Sequence, residues 1–376
     1  MRRLVIYICA ALTCLTVIRV QEGKNTDPIA PQLEKQQYDL STGGKTFLLN
    51  EARQASFFLL GELHGENEIP ALFRELWPQM WRDGYRNIAA EVSPWAAHQL
   101  EFAPVDGGSR VQALWSKEEA QFVRSFGSTT RPVLWGCGMD EVQPHLLIRD
   151  LAAANASNPA LQQMVEITKT GYSRIMAPEL LRLAQSATGI RDQAINDSSL
   201  YMNVVATLEI ERDRLSRARL SASLRRESLM KNLFLVHYEK TAASPRRPKV
   251  LLRFGRNHLH RGYDHRGVST LGNFVAEFAL AQHVTSFHVA AFAAGAKYFL
   301  GKTYDADERQ DDPAFELLAS VARYPTTVFD LRPLRPILHQ IPDRSTVQKS
   351  LIYWADSYDA IICYREVTPF YREVTP

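Results

Sequence analysis

Two short segments concentrate side chains able to move protons. In Gly61-Glu62-Leu63-His64-Gly65-Glu66-Asn67-Glu68 a carboxylate and an imidazole lie two residues apart. In extended backbone Glu62 and His64 therefore face one side while Leu63 faces the core. A carboxylate beside an imidazole holds its tautomer and raises its basicity, so the neutral ring can take a proton from water. The second segment is Arg256-Asn257-His258-Leu259-His260-Arg261. Here His258 is the expected working imidazole, Arg256 suits a substrate carboxylate or a developing anion, and His260 stands behind. Glu91 and Asp140 supply further acids. The expected catalytic set is Glu62, His64, Glu91 and His258, with Glu68, Asp140, Arg256, Asn257 and His260 around a bound small molecule. The bland alternatives are a capping network for Glu66 and Glu68, and a helix cap for Asp140.

The elements that must position these groups are short apolar runs with a repeated ending. Phe57 to Leu60 leads into Gly61-Glu62, Asn87 to Ala90 into Glu91, and Pro132 to Trp135 into Gly136 and then Asp140. Val250 to Phe254 leads into Gly255 and the second segment; Ser286 to Phe292, Thr326 to Phe329 and Ala360 to Tyr364 follow. Such near-continuous apolar runs suit strands buried on both faces. Between the first two, Leu72, Phe73, Leu76, Trp77, Met80 and Trp81 recur at helical spacing, with Pro78 expected to bend or interrupt the helix. Strand, helix, strand at this spacing is the unit of a parallel sheet, and in such sheets ligands bind beyond the carboxyl ends of the strands. The expected fold is α/β, a mostly parallel central sheet flanked by helices, forming one domain over residues 51–370. Residues 141–245 lack strand-like runs and predict a largely helical insert, including one long helix from about Met202 to Tyr238. His288, alternating with apolar neighbours, is expected to be a satisfied core histidine.

Outside that domain, Met1-Arg2-Arg3 and the apolar run Leu4 to Ile18 match a secretory signal. The run is shorter than the roughly 20 residues of a spanning helix, so residues 1–20 are expected to be a signal peptide, or an uncleaved signal anchor, of an exported protein, periplasmic or extracellular. Residues 21–50 are polar enough for a tether. At the other end Tyr364-Arg-Glu-Val-Thr-Pro369 recurs from Tyr371 to Pro376, leaving 371–376 as a duplicated tail. Cys137 and Cys363, the two cysteines beyond the signal, could pair or stay buried as thiols.

The balance of 44 Lys+Arg against 41 Asp+Glu argues against nucleic acid as a partner. The chain contains no Gly-x-Ser-x-Gly elbow, no Gly-x-Gly-x-x-Gly and no phosphate loop of the Gly-x-x-x-x-Gly-Lys type, nor a His-Glu-x-x-His pair. Glu62, His64, Glu91 and His258 would suffice as ligands for a divalent metal, but the acids serve equally as orienters of a base, and no cofactor is expected.

Gly61-Glu62 and His64-Gly65-Glu66-Asn67-Glu68 resemble the opening motif of the erythromycin esterase-like proteins, within the wider superfamily that holds the ChaN-like haem-binding and TraB/Tiki groups. One residue is missing between Glu62 and His64, a spacing closer to the ChaN-like group. Glu91 matches the acid closing the second strand, and Asn257-His258 resembles the late Asn/His motif. The resemblance implies metal-independent hydrolysis in which His64 activates water, Glu62 or Glu91 orients it, and His258 or Arg256 steadies the oxyanion. The alternative it implies is an exported haem or small-ligand carrier without turnover, with Tyr263 or His260 as ligand.

Overall fold

Side chains alternate across the strand runs, so each run feeds two cores. The computed structural model describes residues 29–103, 115, 117–141, 143–189, 197–242, 247–299 and 303–368. Its strands are β1 (Gln37–Asp39), β2 (Phe57–Glu62), β3 (Tyr85–Ala90), β4 (Leu134–Gly136), β5 (Lys249–Gly255), β6 (Ser286–Phe299), β7 (Thr303–Asp307), β8 (Thr326–Asp330) and β9 (Ala360–Tyr364). They form one sheet in the order β1-β8-β9-β6-β2-β5-β3-β4, with β7 added to β6. The pairings from β9 through β4 are all parallel, whereas β1-β8, β8-β9 and β6-β7 are antiparallel. The fold is thus α/β with a mostly parallel sheet.

Phe57 and Leu59 point to one side of β2, where they meet Val250, Leu252, Phe234 and Leu271. Phe58 and Leu60 point to the other, among Ile88, Leu76, Trp77 and Leu251. Helices therefore cover both faces, as burial of a two-sided apolar sheet requires. The crossover helix Glu68–Arg82 buries Ile69, Leu72, Phe73, Leu76, Trp77 and Met80. It runs on through Pro78 rather than stopping there; Trp77 and Met80, both fully buried, anchor the turns on either side of the missing donor.

Among the described residues five helices, Pro144–Ala154, Pro159–Thr168, Ala177–Gly189, Ser198–Leu215 and Arg219–Ala242, stand between β4 and β5. The single long helix expected from Met202 to Tyr238 is two. They part at Ser216–Ala218, where Arg217 takes a left-handed backbone (φ 60°) and the Ala218 amide reaches back to the Asp213 carbonyl at 3.0 Å. A left-handed residue ends a helix because its successor cannot continue the i to i−4 ladder. The second helix then lies along the sheet, with Phe234 and Tyr238 against Phe57 at 5.9 and 5.7 Å between ring centres.

Residues 29–50, within the stretch expected to be a tether, are folded. Helix Ile29–Lys35, β1 and helix Lys45–Gln54 belong to the folded body, because Ile29, Leu33 and Leu48 are fully buried and Tyr38 stacks on Phe47 at 4.8 Å. Cys137 and Cys363 are free, buried thiols. The signal-like segment and the duplicated tail lie outside the described residues, among which no helix is long and apolar enough to cross a membrane.

Candidate active site

Sheet order brings the sequence-distant motifs together. β5 lies between β2 and β3, and its register sets Glu62 beside Gly255 and Ala90 beside Arg253. The residues leaving these three strand ends are Glu62 to His64, Glu91, and Arg256 to His258. They line a cleft of about 280 Å³ together with Glu141, Arg226 and Arg266.

His64 sits on the loop between β2 and its following helix, with a quarter of its side chain exposed. Its Nδ1 faces Glu62 Oε1 at 3.4 Å and its Nε2 faces Glu91 Oε2 at 3.6 Å. The ring fits because the neighbouring strand carries glycine there: a Cβ on Gly255 would stand 2.6 Å from His64 Nε2 and 3.2 Å from Glu91 Oε2. Burial by itself lowers the His64 pKa. The contact with Glu62 and the negative charges of Glu91, Glu62 and Glu66 outweigh it, and the net shift is upward from 6.5.

Glu91 is the hub. Its Oε2 accepts the Gly255 amide at 2.6 Å, and its Oε1 accepts from Arg226 and lies 3.3 Å from His258 Nε2. Burial alone would raise its pKa, but His258, Arg226 and His64 together hold it well below 4.5. His258 is nearly buried and bonds Glu227 through Nδ1. Burial lowers its pKa too, yet the charges of Glu91 and Glu227 prevail over the opposing Arg226 and bring it to about 9. Both histidines around this carboxylate thus hold a proton more tightly than a free imidazole does.

Glu62 is fixed from behind. Arg253 donates through Nε to Glu62 Oε2 at 2.6 Å and through Nη1 to Glu119. Its guanidinium also lies 4.6 Å from the centre of the Trp115 ring. This arginine was missed in the sequence, though a charged residue inside the run Val250 to Phe254 is itself a signal, since a strand buried on both faces tolerates charge only where it is paired. Arg226 and Glu227 come from the helix Arg219–Ala242 and carry no comparable local mark.

Of the residues expected around a ligand, Arg256 and Asn257 line the cleft; Arg256 is paired with Glu308 and donates to the Ala291 carbonyl at 2.8 Å. Three others are not brought to its walls. Glu68 accepts the Thr368 amide at 2.9 Å and hydroxyl at 2.7 Å, tying the chain's later segment to this loop. Asp140 accepts from the Gln143 amide at 2.9 Å and the Ser93 hydroxyl at 3.1 Å, an anchoring role, and it is the next residue, Glu141, that reaches the cleft. His260 is 1% exposed and enclosed by the rings of Tyr353, Trp354 and Tyr358. Such enclosure, which lowers its pKa to about 4, withholds it from any ligand, haem included. His288 is a core histidine, bonded to the Leu259 carbonyl and the Ser286 hydroxyl, each at 3.0 Å. Among the described residues no group of three or more His, Cys, Asp or Glu side chains is arranged to hold a metal ion.

No protein-family model matches the sequence, and no curated protein sequence does. Solved structures do match. A Bacillus cereus protein aligns over 92% of this chain and 98% of its own at 14% identity, with a TM-score of 0.57. Erythromycin esterase EreC, in its open conformation, aligns over 90% and 97% at 13% identity, with a TM-score of 0.58. The chain shares the fold of that esterase. A succinoglycan biosynthesis protein has it as well, aligning over 91% and 97% at 13% identity with a TM-score of 0.59. An esterase-like fold therefore frames the cleft, and its chemistry must be argued from the side chains.

Glu66, for which a capping network is the bland alternative, belongs to the charge balance of the site. It is 2% exposed with neither carboxyl oxygen hydrogen-bonded. Burial, reinforced by the negative charge of Glu62, pushes its pKa from 4.5 up to about 8. An acid whose folded pKa is raised costs nothing below pH 4.5, and stability falls by about 1.4 kcal/mol per pH unit as the pH climbs to the folded value. Glu66→Gln, which cannot ionise, should thus match wild type in urea unfolding at pH 4.5 and gain on it steadily up to pH 8, by about 3 kcal/mol at neutral pH. A gain independent of pH would show that Glu66 is not protonated in the folded protein.

Proposed function

We propose that the protein is a hydrolase in which His64 activates water against an ester or lactone. The observation that supports this best is the pair of histidines flanking Glu91. Neutral His64 can accept a proton, while His258, with its pKa near 9, still carries one at neutral pH. His64, a quarter exposed on its loop, and His258, buried against Glu227, can divide the roles of base and acid within one cleft.

The Glu62 carboxylate, 3.4 Å from His64 Nδ1, favours the tautomer protonated there, leaving Nε2 as the free base directed at the space beside Glu91. Water held there gives its proton to Nε2 as its oxygen adds to the carbonyl carbon. Arg226 and Asn257 are the donors on the cleft wall suited to the oxyanion so formed. When the carbon–oxygen bond to the leaving group breaks, His258 Nε2 protonates the departing alkoxide, giving one acid and one alcohol per water consumed. Exchange with solvent then restores both rings.

The test is hydrolysis of 4-nitrophenyl acetate, 4-nitrophenyl butyrate and a macrocyclic lactone in water enriched in oxygen-18. One labelled oxygen per acid product is expected. For the lactone, whose departing alkoxide needs a proton, the pH profile of kcat/KM should be bell-shaped. It rises as His64 loses its proton, on a limb above pH 6.5, and falls near pH 9 as His258 loses its own. Absence of turnover on every ester, or a lactone rate rising monotonically through pH 10, would overturn the scheme.

A further inference from the structure

We propose that the basin adjoining the cleft is an anion-binding subsite, and that the ester cleaved at His64 carries a phosphoryl or carboxylate group seated there. The second half of this inference rests on the hydrolase reading; the first does not. The basin measures about 640 Å³, within the size range of ligand pockets, roughly 300–1,000 Å³. Arg226, His258 and Arg266 line both it and the cleft, so an anion held here would lie next to the reacting carbonyl.

Four arginines, Arg214, Arg219, Arg226 and Arg266, face the basin against two acids, Glu227 and Asp264. Both acids are already engaged. Glu227 holds His258 and accepts the Leu271 amide at 2.7 Å, and Asp264 accepts the amides of Arg266 and Val268 at 2.9 and 3.0 Å. Arg214 and Arg226 are neutralised by Glu141, Glu211 and Glu91. Arg219 and Arg266 have no carboxylate partner among the described residues; the Arg266 guanidinium touches only the Ser223 hydroxyl at 3.2 Å and His265 at 3.4 Å. Isolated arginines on a convex surface are simply hydrated. Here both are exposed to solvent but share a concavity, so their guanidinium groups can converge on one anion and give it forked hydrogen bonds. Leu220, 54% exposed on the same wall, offers an apolar contact to the body of the ligand.

Calorimetric titration of the full chain with phenyl phosphate and, separately, benzoate tests the subsite without any turnover. Wild type should bind at least one of them, about tenfold more weakly at 200 mM than at 50 mM salt, and the preferred probe identifies the anionic group. Arg219→Ala/Arg266→Ala should weaken binding of that probe at least tenfold. In parallel, kcat/KM for mono-4-nitrophenyl succinate over 4-nitrophenyl butyrate should exceed about ten in wild type and fall toward one in the double variant. Equal binding by wild type and the double variant, or by neither, overturns the subsite even if butyrate is hydrolysed. Arginine-dependent binding without hydrolysis of either ester keeps the subsite and sinks the hydrolase reading.

Discussion

His64→Ala is expected to lower kcat for ester hydrolysis about 10³-fold with KM nearly unchanged, the usual worth of a positioned general base. The ring makes no core contact that the fold requires; it stands on a loop, a quarter exposed, against Glu62 and Glu91. Thermal unfolding should stay cooperative, lowered only by the lost pairing with Glu62 and Glu91, and a measured folded fraction then separates lost chemistry from lost structure. His64→Gln should fare no better than alanine, since an amide cannot take up the proton. Retention of more than a tenth of wild-type kcat in either variant would mean that another group activates the water, and Glu91 would be the next to examine.

The second large effect is on folding. Arg253 is 2% exposed between Glu62 and Glu119, themselves 4% and 1% exposed. Its pKa is raised because these two carboxylates outweigh the burial that would lower it, so the guanidinium stays charged. Arg253→Met keeps much of the volume and the contact with the Trp115 and Phe73 rings, yet removes the positive charge that two buried carboxylates share. Breaking such a pair from one side typically costs about 3–5 kcal/mol, and a loss of that size is expected in urea unfolding. Adding Glu119→Gln should recover part of it, because one of the two buried negative charges is removed and the two sites are coupled. The surviving folded fraction of Arg253→Met should also hydrolyse esters more slowly, as Glu62 loses the bond that aims it at His64. Loss of less than about 1 kcal/mol would show that Glu62 and Glu119 find other partners.

These two residues differ in how visible they are. His64 stands in a motif whose neighbours, Glu62 and Gly65, announce a strand end and a turn; Gly65 indeed takes the left-handed φ of 94°. Arg253 is visible only as an anomaly within an apolar run. Its partner Glu119 lies 134 positions away, and no periodicity connects them. The same holds for His258, legible by itself, and Glu227, which reaches it only because the insert breaks at Arg217 and sends its last helix back across the sheet.

Local rules thus determined a good deal. Near-continuous apolar runs with polar endings were enough, from sequence alone, to place β2, β3 and β5 and to nominate Glu62, His64, Glu91 and His258, because side-chain direction along a strand depends on near neighbours. Strand order and helix crossing decided the rest. They set Gly255 between His64 and Glu91, gave Arg226 to Glu91 and Arg253 to Glu62, and turned Glu68, Asp140 and His260 away from the cleft. Each of those outcomes depends on which distant segments come to lie within a few ångströms of one another, and the proton affinities of His64 and His258 follow from that proximity.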